Sequence, residues 1–159
     1  MSETVIQVTS LGKRIKGKTI LEDISFEINQ GDCVALIGPN GAGKTVLMSC
    51  ILGDKKPSSG QVLIDGKAGK AKNKIAVLLQ ENTIPNSLKV EELIAFFQSI
   101  SDNPLTNQEV QKLLQFKEDQ YQQFADKLSG GQRRLLAFVL CLIDKPKILF
   151  LDEPTAGMD

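Results

Sequence analysis

The sequence carries no net charge, because lysine plus arginine and aspartate plus glutamate both number 19. This balance gives no support to a nucleic-acid partner. The one basic segment, residues 66–74 (GKAGKAKNK), has no aromatic side chain on which a base could stack. We therefore interpret it as a solvated turn and expect no nucleic acid among the partners.

Cysteines and long hydrophobic runs are also scarce. Cys33, Cys50 and Cys141 lie far apart in apolar surroundings, which predicts buried core thiols rather than disulfides or a metal site and suits a reducing cytoplasm. The longest apolar run, 135–143, has nine residues, whereas a membrane-spanning helix needs about 20. The opening residues (MSETVIQV) lack the features of a signal peptide. Any membrane role must therefore come through a partner.

The apolar residues that are present predict an α/β fold. Residues 4–10 and 24–30 alternate between apolar and polar, which is typical of half-buried strands. The segment between them, 12–18, predicts a turn, so the chain should open with an antiparallel unit. Further strands are predicted at 33–37, 61–65, 74–79 and 147–152, and helices at 44–53 and 131–143.

The character of the sequence changes between Glu81 and Lys127, which is polar and rich in glutamine. Residues 90–100 have helical spacing, and Thr106 with Glu109 forms a capping box at the start of a second helix. We therefore predict a helical subdomain at 81–132, inserted in an α/β core that is formed by 1–80 and 133–159.

Residues 38–45 (GPNGAGKT) match the phosphate-binding pattern G-x-x-x-x-G-K-[ST] in full, between a predicted strand and a predicted helix. Glycines allow main-chain N–H groups to surround a triphosphate, and the helix N-terminus adds its dipole. Lys44 would reach the β- and γ-phosphates, and the Thr45 hydroxyl would bind Mg²⁺. The predicted nucleotide-binding residues of this loop are Gly38, Pro39, Asn40, Gly41, Ala42, Gly43, Lys44, Thr45 and Val46.

Two acids, Asp152 and Glu153, end the apolar strand predicted at 147–152. Parallel strands carry their sites at their carboxyl ends, so we expect both acids beside the phosphate-binding loop. Successive strand residues point in opposite directions, which gives the two carboxylates different surroundings. We predict that Asp152 binds Mg²⁺, directly or through water, and that Glu153 accepts a proton from the attacking water.

The segment 127–135 (KLSGGQRRL) begins a helix with two glycines, Gly130 and Gly131, each of which weakens a helix by about 1 kcal/mol relative to alanine. Ser129 and Gln132 form a capping box there, but capping does not need the glycines. Residues without side chains let an anion approach the bare N–H groups of the helix end. We interpret this segment as a second phosphate-binding site, for the γ-phosphate.

These motifs, in this order, resemble those of the ATP-binding cassette (ABC) ATPases, the nucleotide-binding subunits of ABC transporters. Residues 38–45 resemble the Walker A motif, Gln80 the Q-loop glutamine, 128–132 the signature, 148–153 the Walker B motif and 156–159 the D-loop. The signature (LSGGQ) is the most specific of them, because other families with a phosphate-binding loop lack it. The resemblance implies a P-loop NTPase core that binds ATP and Mg²⁺.

The resemblance further implies that two such subunits, in a homodimer, sandwich two ATP molecules. Ser129 and Gly131 would contact the γ-phosphate of ATP held by the other subunit, and Gln80 would sense the γ-phosphate and Mg²⁺. A multi-span membrane permease would dock near residues 80–93, at the cytoplasmic face of the cell membrane, and ATP hydrolysis would drive transport. Segments 132–138 and 150–159 are most similar to cassettes of bacterial exporters. The alternatives are a non-transport ABC ATPase of translation or DNA maintenance, and a nucleotide-binding regulatory module.

Three departures from the family pattern stand out. Ile15 lies near the position where the family stacks an aromatic residue on adenine, so a stacking contribution of about 1 kcal/mol is lost. Val46 stands where many members have a hydroxyl, which removes one possible contact to the α-phosphate. The chain has no histidine, although the family has a switch histidine beyond the Walker B motif. We therefore expect a fragment or a naturally truncated product, with weak or absent turnover on its own.

Overall fold

The computed structural model describes residues 3–68, 75–78 and 84–152. The chain divides into two compact units, residues 1–72 and residues 73–159, which are described in turn. No helix in the described part of the chain is long and apolar enough to cross a lipid bilayer.

The first unit contains an antiparallel sheet with the strand order β2-β1-β3-β4. Its strands are β1 (Thr4–Ile15), β2 (Lys18–Asn29), β3 (Ser59–Ile64) and β4 (Lys67–Ala68). The predicted antiparallel opening is confirmed. Ile6 and Val8 are buried at alternate positions of β1, and the register shift that follows Val8 leaves Leu11, rather than Ser10, buried.

The turn between β1 and β2 is shorter than predicted. Instead of the whole segment 12–18, only Lys16 and Gly17 lie outside the strands, with φ angles of 50° and 79°. Positive φ at both central residues is what a two-residue hairpin turn of the I′ type requires, and such a turn matches the twist of the flanking strands. The polar residues Lys13 and Arg14 therefore stay in the ladder, opposite Leu21 and Thr19.

The strand predicted at 33–37 is absent from the structure, and this prediction is wrong. Residues 33–37 form no strand, and the side chains of Val34 and Ile37 are 60% and 90% exposed. A short apolar strand is stable only between hydrogen-bonded neighbours and beneath covering layers, and no described strand pairs with this segment. The expected burial of Cys33 fails for the same reason, since that thiol is exposed.

Helix α1 (Lys44–Ile51) follows this segment and packs its buried side chains Leu47, Cys50 and Ile51 inward. The helix predicted at 44–53 is present, and it ends at Ile51, two residues before Gly53, which has a φ of 78°. Burial raises the pKa of the Cys50 thiol, against the opposing charges of Lys13 and Lys55. Cys50 is therefore a core residue, as predicted.

The second unit is built on two parallel strands. β5 (Ile75–Leu78) and β6 (Ile148–Leu151) run in register, from the pair Ile75 and Ile148 to the pair Leu78 and Leu151. Between them lie the helices α2 (Val90–Ser99), α3 (Asn107–Leu114), α4 (Glu118–Tyr121), a 3₁₀ turn (Ala125–Lys127) and α5 (Gly130–Leu142). The strands and helices predicted from the sequence in this part of the chain are therefore present.

A buried apolar cluster joins these helices to β5. Its members with almost no exposure include Leu78, Leu93, Leu114, Leu136 and Ile143. Cys141 is half-buried at its edge, where burial raises the pKa of the thiol and the charge of Arg134 opposes this shift. This cluster is the core that holds α5 against β5.

The capping box predicted for α3 is confirmed. The Thr106 hydroxyl accepts a hydrogen bond from the Glu109 main-chain N–H at 3.3 Å, and the Glu109 carboxylate accepts one from the Thr106 N–H at 2.7 Å. The bond from the Thr106 N–H, and a second one that the Thr106 hydroxyl donates to the same carboxylate oxygen at 3.0 Å, hold the pKa of the Glu109 carboxyl below its ordinary value. The division into a core and a helical subdomain at 81–132 stays a prediction.

Candidate nucleotide-binding site

The phosphate-binding loop lies in the first unit, between the segment 33–37 and α1. Gly41 and Gly43 have φ angles of 82° and 90°, a backbone conformation that residues with a Cβ rarely adopt. The Ala42 N–H donates to the Pro39 carbonyl at 3.2 Å, which closes a turn inside the loop. The loop is thus bent at two glycines, of which the pattern requires Gly43 but not Gly41.

Gly43 has a second reason to be glycine. It is the N-cap of α1, and a Cβ at this position would lie 3.0 Å from the Leu21 side chain and 3.2 Å from the Ile20 carbonyl oxygen. By contrast, a Cβ at Gly41 would meet no atom of the described residues within 4 Å. Gly43 therefore seats the start of α1 against β2, whereas Gly41 faces open space.

The N-terminus of α1 is suited to an anion. No side chain caps it, and no acidic residue lies in the first turn. The N–H groups of that turn therefore stay available, and the positive end of the helix dipole is not neutralised. The Lys44 ammonium adds a full charge there. It folds back over the loop and donates to the main-chain carbonyls of Gly38, at 2.7 Å, and Pro39, at 3.0 Å. Such a cradle fits the phosphates of a nucleotide.

The neighbouring predicted residues have the following positions. Thr45 is exposed and Val46 half-buried in the first turn of α1. Ile15 is half-buried at the end of β1, opposite Lys18, and supplies an aliphatic surface instead of an aromatic one. Asn40 is exposed in the loop.

The predicted Walker B acid Asp152 lies in the second unit, directly after β6. Its main-chain N–H donates to the Leu78 carbonyl at 2.9 Å, which extends the parallel pairing by one bond beyond Leu151. The carboxyl ends of β5 and β6 therefore meet, as the rule for parallel sheets predicts.

Two other predicted site residues, Gln80 and Glu153, lie outside the described residues.

The signature segment forms the start of α5. The Ser129 hydroxyl accepts from the Gln132 N–H at 3.3 Å, and the Gln132 side chain accepts from the Ser129 N–H at 3.0 Å, so the predicted capping box is confirmed. Gly131 has helical backbone, and a Cβ there would meet nothing within 4 Å. Neither the backbone conformation nor the packing of the described residues requires glycine at position 131.

Magnesium needs few protein ligands in such a site. In the described ranges, no group of three or more histidine, cysteine, aspartate or glutamate side chains could hold a metal ion. Mg²⁺ bound with a nucleotide commonly takes its ligands from phosphates, waters and one or two protein oxygens. A hydroxyl such as that of Thr45 and a carboxylate such as that of Asp152 are of the right chemical type.

Sequence reasoning missed one residue next to the site. Arg134, in α5, is only 8% exposed and donates from Nη2 to the main-chain carbonyl of Asp152 at 3.1 Å. Charged residues near the start of a helix usually lie on its solvated face. The available signal was the position of Arg134 beside Leu136 and Ala137, on the side of α5 that is buried.

The chain matches the ABC transporter family over residues 21–156. It is 35% identical over 168 residues to the methionine import ATP-binding protein MetN of Legionella pneumophila (strain Paris), which covers 98% of this chain and 49% of that protein. It is 33% identical over 167 residues to the spermidine/putrescine import ATP-binding protein PotA of Spiroplasma citri, with 100% and 48% covered. The chain thus spans about half the length of these curated relatives.

Solved structures are similar as well. CbiO1 from Clostridium perfringens, part of the transporter complex CbiONQ, superposes with a TM-score of 0.82 at 28% identity, covering 99% of this chain and 68% of that chain. A bacterial Atm1-family ABC exporter with ATP bound superposes with a TM-score of 0.81 at 23% identity, covering 98% of this chain and 30% of that chain. The second likeness concerns the fold alone. The predicted α/β fold class with a P-loop NTPase core is confirmed.

Proposed function

Because the chain belongs to the ABC transporter family, we propose that it is the ATP-binding part of an ABC transporter, which binds Mg-ATP and hydrolyses it in a dimer. The observation that carries this proposal is the loop before α1. Its glycine-bent backbone, its helix end without an acidic or capping side chain and its Lys44 ammonium form one cationic cradle. No other ligand class explains all three features as well as a polyphosphate does.

Residues 38–46 would hold the nucleotide. Main-chain N–H groups of the loop would surround the β-phosphate, and Lys44 would exchange its bonds to the Gly38 and Pro39 carbonyls for bonds to phosphate oxygens. Thr45 and Asp152 would supply oxygens to Mg²⁺, which offsets the charge that develops on the phosphates. At Ile15, aliphatic packing would replace aromatic stacking on adenine.

The second unit would supply the hydrolytic groups. Glu153, directly after Asp152, would accept the proton of the attacking water, and Gln80 would orient that water and contact Mg²⁺. We propose that residues 129–132 contact the γ-phosphate of ATP on a second subunit. The open space beside Gly131 and the position of Ser129 at the helix N-cap support this role. The whole site would then form only between two ATP-binding subunits.

The transport role rests on the family and its relatives. A multi-span membrane permease would bind near residues 80–93 and hold the chain at the cytoplasmic face of the membrane. The relatives MetN and PotA are named as import proteins, whereas segments 132–138 and 150–159 are most similar to cassettes of exporters. We therefore propose import and export as equal candidates for the direction of transport. The cargo would be selected by the permease.

Nucleotide binding tests the first step. We expect Mg-ATP to raise the thermal stability of the chain, since a ligand at 100 times its Kd stabilises the folded state by about 2.7 kcal/mol. Lys44→Met should abolish this effect. Lys67→Met, which removes an exposed lysine of β4 in the same unit, is the matched control and should retain it. Equal stabilisation of both variants, or none of the unmodified chain, would contradict the proposal.

A further inference from the structure

Arg134 carries a charge that is buried in the second unit. Among the residues that the structure describes, it is the only charged residue that is buried. A guanidinium is costly to remove from water unless its N–H groups find acceptors. One of its acceptors is the main-chain carbonyl of Asp152, at 3.1 Å from Nη2.

This acceptor is part of the peptide unit that leads to Glu153. The N–H of Asp152 is already fixed to the Leu78 carbonyl at 2.9 Å, and Arg134 fixes the carbonyl on the other side of the same residue. Asp152 is thus held through both of the planar peptide units that flank it. The end of β6 is therefore held from β5 on one side and from α5 on the other.

Arg134 lies just over one helical turn after the paired glycines of the signature. Residues 130–142 form one uninterrupted helix, so a shift of its N-terminus moves the Arg134 side chain with it. Arg133, the preceding residue, makes a different contact, from Nη2 to the Asn86 side chain at 3.0 Å. Among the described contacts, it is Arg134 and not Arg133 that joins the signature helix to the end of β6.

We propose that Arg134 is a positioning residue that couples the signature helix to the Walker B end of the same chain. This inference rests on the proposed function. Residues 129–132 would bind ATP on the second subunit, while Asp152 and Glu153 would act on ATP of their own subunit. The bond between Arg134 and the Asp152 carbonyl then makes the position of the end of β6, which precedes Glu153 in the sequence, depend on whether the other nucleotide site is closed.

Hydrogen exchange tests the positioning role without any turnover. In Arg134→Leu, the Asp152 amide should exchange about tenfold faster than in the unmodified chain, because one side of the strand end is released. Arg134→Lys, which keeps a charged donor, should exchange within about threefold of the unmodified rate. Arg133→Leu is the matched control and should leave the Asp152 amide unchanged. An unchanged rate in Arg134→Leu, or the same acceleration in Arg133→Leu, would overturn the proposal.

Kinetics test the coupling. In the assembly that hydrolyses ATP, Arg134→Leu should lower kcat at least tenfold with KM for ATP unchanged within about twofold, and Arg134→Lys should recover most of the loss. An unaltered kcat, or an equal rise in KM, would overturn it. If Arg134→Leu does not fold, Arg134→Gln, which is polar but too short, takes its place against Arg134→Lys. Absence of ATP binding by the unmodified chain would instead refute the proposed function and leave the exchange result standing.

Discussion

We expect Gly131→Ala to stabilise the fold and at the same time to weaken ATP-dependent pairing of subunits. Gly131 is the second residue of α5, has helical backbone, and has nothing within 4 Å of the position of an added Cβ. Alanine is favoured over glycine in a helix by up to about 1 kcal/mol. For a domain of this size, that gain raises Tm by roughly 2–4 °C.

The loss should appear in association. In the background Glu153→Gln, which removes the proposed general base, analytical ultracentrifugation with saturating Mg-ATP measures pairing without hydrolysis. A methyl group among the N–H groups at the start of α5 obstructs a phosphate oxygen that must approach within about 3 Å. We expect the Kd of the dimer to rise at least tenfold in Gly131→Ala, while the affinity of each subunit for ATP stays the same, because residues 38–46 are untouched.

Two results would refute this reasoning. A lower Tm for Gly131→Ala would mean that the glycine serves the fold, contrary to the open space around it. A higher Tm with unchanged association would mean that no ligand approaches this helix end. Only the combination of a more stable chain and weaker pairing supports the assignment of the paired glycines to a phosphate.

Two further predictions concern the loop and the helix α3. Gly43→Ala should lower the free energy of unfolding by at least about 2 kcal/mol, measured by denaturant titration, since it adds left-handed strain to a close contact with Ile20 and Leu21. Gly41→Ala has the strain without the contact and should cost about 1 kcal/mol; equal costs would contradict the role given to the contact. Glu109 has a lowered pKa, so its stabilising effect is present above its ordinary pKa and is lost as pH falls through the folded-state value. Glu109→Gln should therefore make the free energy of unfolding depend less on pH between the folded-state pKa of Glu109 and its ordinary value. An unchanged pH dependence of the free energy of unfolding would contradict the capping bonds as the cause of the lowered pKa.

Features that depend on near neighbours in the chain could be predicted from the sequence. The alternation in β1 and β2, the Thr106 capping box and the phosphate-binding loop are local patterns, and each is present in the structure. The family motifs, recognised by their order along the sequence, identified the other residues expected at the site. These signals need no knowledge of what lies across the fold.

Features that depend on distant parts of the chain could not be predicted. The segment 33–37 has the composition of a buried strand, but a strand also needs partners on both sides, and composition carries no information about them. The burial of Arg134 has the same origin: the sequence shows an arginine on a helix, and only the arrangement of α5 and β6 reveals the carbonyl that it meets. Pairs of charged residues near a helix start usually belong to its solvated face.

The hairpin of β1 and β2 has a consequence for the order of folding during synthesis. Its two strands are joined by two residues, and their ladder extends from Ile15 and Lys18 out to Thr4 and Asn29. Hairpins of this kind form within about 1–10 μs, whereas a ribosome adds only about 5–20 residues each second. The hairpin can therefore close long before β3 has been translated, and it offers β3 a finished edge on which to align.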